Sequence, residues 1–231
     1  MNIALMTTCK PRLDNYKKEV MESILAIAPQ VDRLYIVLSL QEFENKIPKL
    51  DLPDNVTIVT CLLNTYSFKK FYPLADKAKF NISEEDNVFL VDDDWRYHSD
   101  YVKYMLDYRG DKDVAALGCG GCIGAFTLLK AKCIQPDFFK YWCKELIETR
   151  IDDIYLTNYL RWKGFATKYY DKCVDELVRT VADPLIPESA NNPGNSVYPK
   201  TFVAASAYQP WKANYVTGGA RDGNKERRKE D

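Results

Sequence analysis

Asn87-Val88-Phe89-Leu90-Val91 runs directly into Asp92-Asp93-Asp94, and the fold turns on how this stretch is read. A short run of pure hydrophobics between polar residues reads as a buried strand. The chain then leaves the core into three carboxylates. In an open α/β sheet, ligands sit outside the carboxyl ends of the strands, so the triplet lies where a ligand is expected. On extended backbone, Asp92 and Asp94 point to one side. Like charges so close repel unless a cation or donors compensate them. A hard divalent cation takes oxygen ligands and can hold a diphosphate at the same time. The plainer reading is a solvated acidic turn. Three carboxylates after such a strand favour a metal or ligand site.

The pattern on either side alternates between strand and helix. Ile3 to Thr8, Arg33 to Leu40 and Val56 to Leu63 read as strands. Between the first two, Lys10-Pro11-Arg12 breaks the first strand, and a helical pattern starts at Asp14. Tyr16, Val20, Ile24 and Ile27 then recur at spacings of four and three until Pro29. Pro73 to Phe80 reads as a short helix, Tyr101 to Tyr108 as helix, and Val114 to Leu117 and Ala125 to Leu129 as strands. Pro136 to Arg150 and Asp152 to Trp162 read as helices, the second stopping before Gly164. Lys168 to Asp171 is a last strand candidate. This alternation predicts an α/β fold with a mainly parallel central sheet flanked by helices.

Composition narrows the chemistry. Of 231 residues, 46% are apolar, enough for a sizeable core. The 32 basic and 33 acidic side chains leave a net charge of −1, which argues against binding nucleic acid through bulk charge. His98 is the only histidine, so a zinc site built on several histidines is excluded, and any nucleophile–histidine apparatus would have to use His98. It reads as a loop residue. The first of ten glycines is Gly110, so neither a Walker A loop nor a G-x-G-x-x-G turn can follow the first strand. The start of the chain does not read as a signal peptide, and no stretch approaches the ~18 apolar residues of a membrane span. The seven cysteines are odd in number and lack a disulfide framework, which suits a reducing cytoplasm. Cys119-Gly120-Gly121-Cys122 is a single C-x-x-C without the second pair that zinc needs. From Pro184 to 217 the chain reads as loop or lid, and 218–231 as a disordered charged tail.

Val91-Asp92-Asp93-Asp94 resembles the D-x-D motif of GT-A-type glycosyltransferases. Three further blocks support the resemblance, in order. Thr7-Thr8-Cys9-Lys10-Pro11-Arg12 resembles the T-S-x-x-P-R segment after strand one in a group of bacterial and viral glycosyltransferases. Lys69-Lys70-Phe71-Tyr72-Pro73-Leu74 resembles their T-K-L-x-P-x segment, and Asp152-Asp153-Ile154-Tyr155-Leu156 the acidic pair opening a late helix. The similarity spans roughly residues 1–170 and is nearest to glycosyltransferase domains of large algal DNA viruses.

The resemblance implies a single GT-A (Rossmann-like) domain over residues 1–217. It implies a nucleotide-sugar donor, commonly a UDP-sugar such as UDP-glucose or UDP-rhamnose, and Mn²⁺ or Mg²⁺. The acceptor would be a hydroxyl of a glycan or glycoprotein, in the cytoplasm or, for a viral protein, the host's cytoplasm. By position, Asp94 is the metal ligand, Asp92 contacts metal or ribose, and Asp93 orients either. Lys70 would meet the diphosphate, with an ordinary surface lysine as the plainer alternative. Thr8 and Arg12 would contact the nucleotide, a surface ion pair being the alternative for Arg12. Gly120 and Gly121 would let backbone approach the sugar, or simply form a tight turn. Inverting transfer needs a general base; Asp153 is the first candidate and Asp152 the second, although an Asp at a helix start also caps amides. Trp95 and Tyr97 are candidates for stacking on the acceptor, or for packing. The lack of a histidine after His98 leaves diphosphate and water to complete a metal shell. The competing readings are a metal-dependent phosphoryl-transfer or nuclease domain, and a module that binds sugar nucleotide or carbohydrate without turnover.

Overall fold

The computed structural model describes residues 1–117, 126–148, 152–169 and 181–186. In chain order its strands are β1 (Asn2–Thr7), β2 (Arg33–Ser39), β3 (Val56–Cys61), β4 (Asn87–Leu90), β5 (Trp95–Tyr97), β6 (Val114–Ala116), β7 (Thr127–Lys130), β8 (Thr167–Tyr169) and β9 (Ala182–Pro184). Seven form one sheet in the order β3-β2-β1-β4-β7-β6-β8. β1 lies parallel to β2 and β4, β2 to β3, and β6 to β8. β7 alone runs antiparallel to its neighbours β4 and β6. This is the α/β architecture with a mainly parallel sheet that the alternating pattern predicts.

Both faces of the sheet are buried, which is why its central strands are continuous hydrophobic runs. Ile3, Leu5, Val88 and Leu90 face one core cluster, and Ala4, Met6, Phe89 and Val91 the other. The first cluster is covered by a 3-10 turn at Tyr66–Phe71, α3 (Tyr72–Ala75), α5 (Pro136–Lys140), α6 (Lys144–Glu148) and α7 (Asp152–Lys163). The second is covered by α2 (Lys17–Ile27) and α4 (Tyr101–Arg109), with Leu13 of α1 (Lys10–Asn15). α7 ends where Gly164 takes a φ of +75°, a left-handed conformation that glycine adopts without a Cβ penalty.

Several elements differ from the sequence reading. Lys10-Pro11-Arg12 lies beyond the end of β1, as expected, but the helical pattern starts there rather than at Asp14, because proline suits the first turn of α1, where its missing N–H is not needed. The helix expected over Pro73 to Phe80 is only four residues long, preceded by the 3-10 turn. The helix expected over Pro136 to Arg150 is interrupted at 141–143, leaving two short helices. A two-stranded ribbon, β5 with β9, has no signal in a single short pattern, since it pairs segments distant in sequence. The glycine segment 118–124 with its C-x-x-C, the loop from 187 onward, and the charged tail lie outside the described residues.

Candidate active site

β1, β2, β3 and β4 are parallel, so their carboxyl ends share one sheet edge. Leu5 stands opposite Leu90, which brings Thr8 and the acidic triplet side by side just beyond the edge. The strand ends at Leu90, and Asp93–Asp94 form a turn. The alternation expected of extended backbone therefore stops too early to apply. Asp92 faces Lys70 at 2.9 Å, whereas Asp93 and Asp94 both face Arg12. Turn geometry thus splits the triplet one against two.

Both predicted cations are in the site. Arg12, in the first turns of α1, pairs with Asp93 and reaches Asp94 at 3.2 Å. Lys70 is buried on the 3-10 turn, with a second ion pair to Asp152 at 3.2 Å. Lys70 therefore joins the strand-end triplet to the acidic pair that opens α7. Burial would pull its pKa down, but the Asp152 and Asp92 charges outweigh that and raise it, so the amine stays protonated.

The carboxylates divide by environment. Burial would raise Asp92, but the charge and hydrogen bond of Lys70 hold it below the usual carboxylate range. Asp94 goes the other way, to about 6, through burial and then the Asp92 charge, which Arg12 offsets only in part. Asp153, half-buried at the start of α7, is raised to about 7 by burial and by the Asp152 charge. Its Oδ1 accepts the Ile154 amide at 2.9 Å. A carboxyl that titrates near neutrality in a charged site suits a general base.

Five carboxylates (Asp92, Asp93, Asp94, Asp152 and Asp153) face two cations, Arg12 and Lys70. Thr8 Oγ1, one oxygen of Asp93 and Asp94 Oδ1 are buried without a hydrogen-bond partner, a costly state that a ligand relieves. Among the described residues no three carboxylate, thiol or imidazole groups cluster closely enough to hold a metal by themselves. The donor set is nevertheless all hard oxygen with surplus negative charge. It suits a divalent cation, which Asp94 and Asp92 would hold with further oxygens from a ligand and water.

Other residues support the site in ways the sequence did not show. The Tyr97 hydroxyl accepts the Asp92 amide at 2.7 Å and donates to the Asp92 carbonyl at 3.1 Å, and Ser23 Oγ donates to the same carbonyl at 3.0 Å. Tyr97 is buried against Tyr101 and Phe126, so it braces the triplet and cannot stack on a sugar. Trp95 packs edge-on against Phe126. Leu185 N donates to the Asp94 carbonyl at 2.8 Å, and His98 Nε2 lies 3.1 Å from Asp183. These contacts hold the β9 segment beside the triplet. Gly120 and Gly121 lie outside the described residues.

No family model matches the chain, and neither does any curated protein. Solved structures are similar to it at low identity. 4-Diphosphocytidyl-2C-methyl-D-erythritol synthase is 14% identical, with a TM-score of 0.48 over 78% of this chain and 94% of that one. The galactosyltransferase LgtC, solved with donor and acceptor sugar analogs, is 12% identical, with a TM-score of 0.45 over 92% and 99%. TarS residues 1–349 from S. aureus are 12% identical, with a TM-score of 0.48 over 78% and 59%. No helix among the described residues is long and apolar enough to cross a membrane.

Proposed function

We propose that the protein is a metal-dependent glycosyltransferase that moves a sugar from a nucleotide donor, a UDP-sugar, to a glycan hydroxyl with inversion. The observation that carries this reading is the meeting of two acidic groups around one buried lysine. The strand-end triplet and the Asp152–Asp153 pair come from separate parts of the sequence, and Lys70 bridges them. One group suits a diphosphate with its cation, and the other suits proton transfer. A hydrolytic two-metal site has less need of two cations, one of them buried, paired within its carboxylates.

In this reading Thr8 and Arg12 contact the nucleotide, and Asp94 with Asp92 would hold Mn²⁺ or Mg²⁺. The cation supplies electrostatic stabilisation of the departing diphosphate. Asp153 accepts the proton of the acceptor hydroxyl. The acceptor oxygen bonds to the anomeric carbon as the bond to the donor phosphate breaks, and the bonding pair leaves with the diphosphate. Lys70 and Arg12 meet the charge that develops there. Asp153 rather than Asp152 is the base, since Asp152 is tied to Lys70.

Measuring sugar transfer from UDP-sugars in Mn²⁺ tests this with Asp94→Asn. The expected result is a loss of metal-dependent turnover of about 10²-fold or more, the scale of removing a preorganised charge. Wild-type turnover in the variant overturns the assignment.

A further inference from the structure

Lys69 and Lys70 are neighbours on one 3-10 turn, yet their ammonium groups diverge. Successive side chains on such a turn differ by about 120°, so one amine enters the site and the other cannot. Lys69 Nζ instead meets Glu42 Oε2 at 3.2 Å and Asn64 Oδ1 at 3.4 Å. Its side chain is 3% exposed, and that of Glu42 14%. The other oxygen of Glu42 accepts the backbone amide of Lys10 at 3.2 Å. That amide opens α1, whose N-cap residue Cys9 gives no side-chain cap, and Arg12 follows on the same turn.

One carboxylate is therefore fixed to both elements that deliver a cation to the site. Its own position is set from the end of β2, since the Glu42 amide donates to the buried Ser39 Oγ at 3.1 Å. Asn64, the second partner of Lys69, also accepts the Tyr66 amide at 3.0 Å. The backbone is strained on both sides of the pair, with φ of +51° at Glu44, +61° at Asn45 and +51° at Tyr66. Such strain persists only where the surroundings over-determine the conformation. A buried ion pair is a poor stabiliser beside an apolar pair of equal volume, and its best-attested use is to fix register.

We propose that Glu42 and Lys69 are positioning residues, a brace that sets the spacing between Arg12 and Lys70 for binding the donor diphosphate; this deepens the glycosyltransferase reading and rests on it. Neither residue touches the donor. The brace acts through the two cations that do.

The test uses the double variant Glu42→Leu/Lys69→Met, with apolar replacements that leave no buried charge, and the isosteric single variant Glu42→Gln. Acylation of lysines by an excess of acetic anhydride, read by peptide mass spectrometry, reports the Lys70 amine without any substrate. Lys103, whose side chain is 82% exposed, serves as the internal reference. The expected result is a rise of about fivefold or more in Lys70 labelling relative to Lys103 in the folded double variant, with a smaller rise in Glu42→Gln. In turnover, the donor KM rises about tenfold while the acceptor KM and kcat stay within about threefold. Unchanged Lys70 protection in both variants overturns the brace. So does a fall in kcat alone at constant donor KM, which is what a smaller folded fraction produces. A wild-type protein that turns over no nucleotide sugar overturns the function reading instead, and the labelling arm still decides whether the brace holds Lys70.

Discussion

Asp153 and Asp94 are both raised, but the two shifts have different consequences. Asp153 must be ionised to accept a proton, so transfer should rise with pH through about 7 and level off above it. A pH profile of kcat checks this, and Asp153→Asn should cost about 10²–10⁴-fold in kcat while donor binding persists. Asp94, near 6, affects stability. A carboxyl whose folded pKa exceeds its unfolded value favours the folded state fully below the unfolded pKa, and that contribution is lost as pH rises through the folded pKa. Without metal, Asp94→Asn should therefore stabilise the protein at pH 8 by roughly 1–3 kcal/mol, with the gain vanishing near pH 4. Denaturant unfolding at the two pH values reads the difference. The residues themselves were legible in sequence, because a triplet of carboxylates after a hydrophobic strand is conspicuous. Their pairing was not. It depends on where the strand stops: beyond Leu90 the chain turns, and Asp92 meets Lys70 while Asp94 meets Arg12.

At the scale of elements, the segment after β4 shows what a local pattern hides. Trp95 and Tyr97 followed the triplet and invited a binding role. Instead β5 pairs with β9, and Tyr97 turns inward to hold both backbone groups of Asp92. Tyr97→Phe keeps the ring and removes these bonds. It should cost about 1–3 kcal/mol of stability, since the Asp92 amide is left without its partner, and should also weaken donor binding several-fold. Thermal unfolding and a donor titration separate the two effects, and a Phe variant matching wild type in both removes Tyr97 from the account. Helices and central strands were readable because burial on both sheet faces writes long hydrophobic runs. The Tyr66–Phe71 turn was not, since two lysines between aromatics give no helical period. Only the folded partners, Glu42 on one side and Asp92 with Asp152 on the other, explain why both lysines are buried.

At the scale of the whole molecule, the glycine-poor first half takes on a positive meaning. With no glycine before Gly110, the parallel strands end without a phosphate-cradling loop, and cationic side chains stand at their carboxyl ends instead. The site is assembled from α1, the 3-10 turn, the end of β4 and the start of α7, so four distant segments must dock before it exists. Its five carboxylates and two cations leave a surplus of negative charge that a divalent cation with a nucleotide diphosphate would resolve. The most direct measurement of this claim is thermal unfolding with Mn²⁺, with a panel of nucleotide sugars, and with both. A ligand at a hundred times its Kd stabilises by about 2.7 kcal/mol, or roughly 5–10 °C for a protein of this size. Such a shift is expected for a UDP-sugar with Mn²⁺, a smaller one for either alone, and none in Asp94→Asn. No shift with any nucleotide sugar, or an undiminished shift in Asp94→Asn, contradicts it.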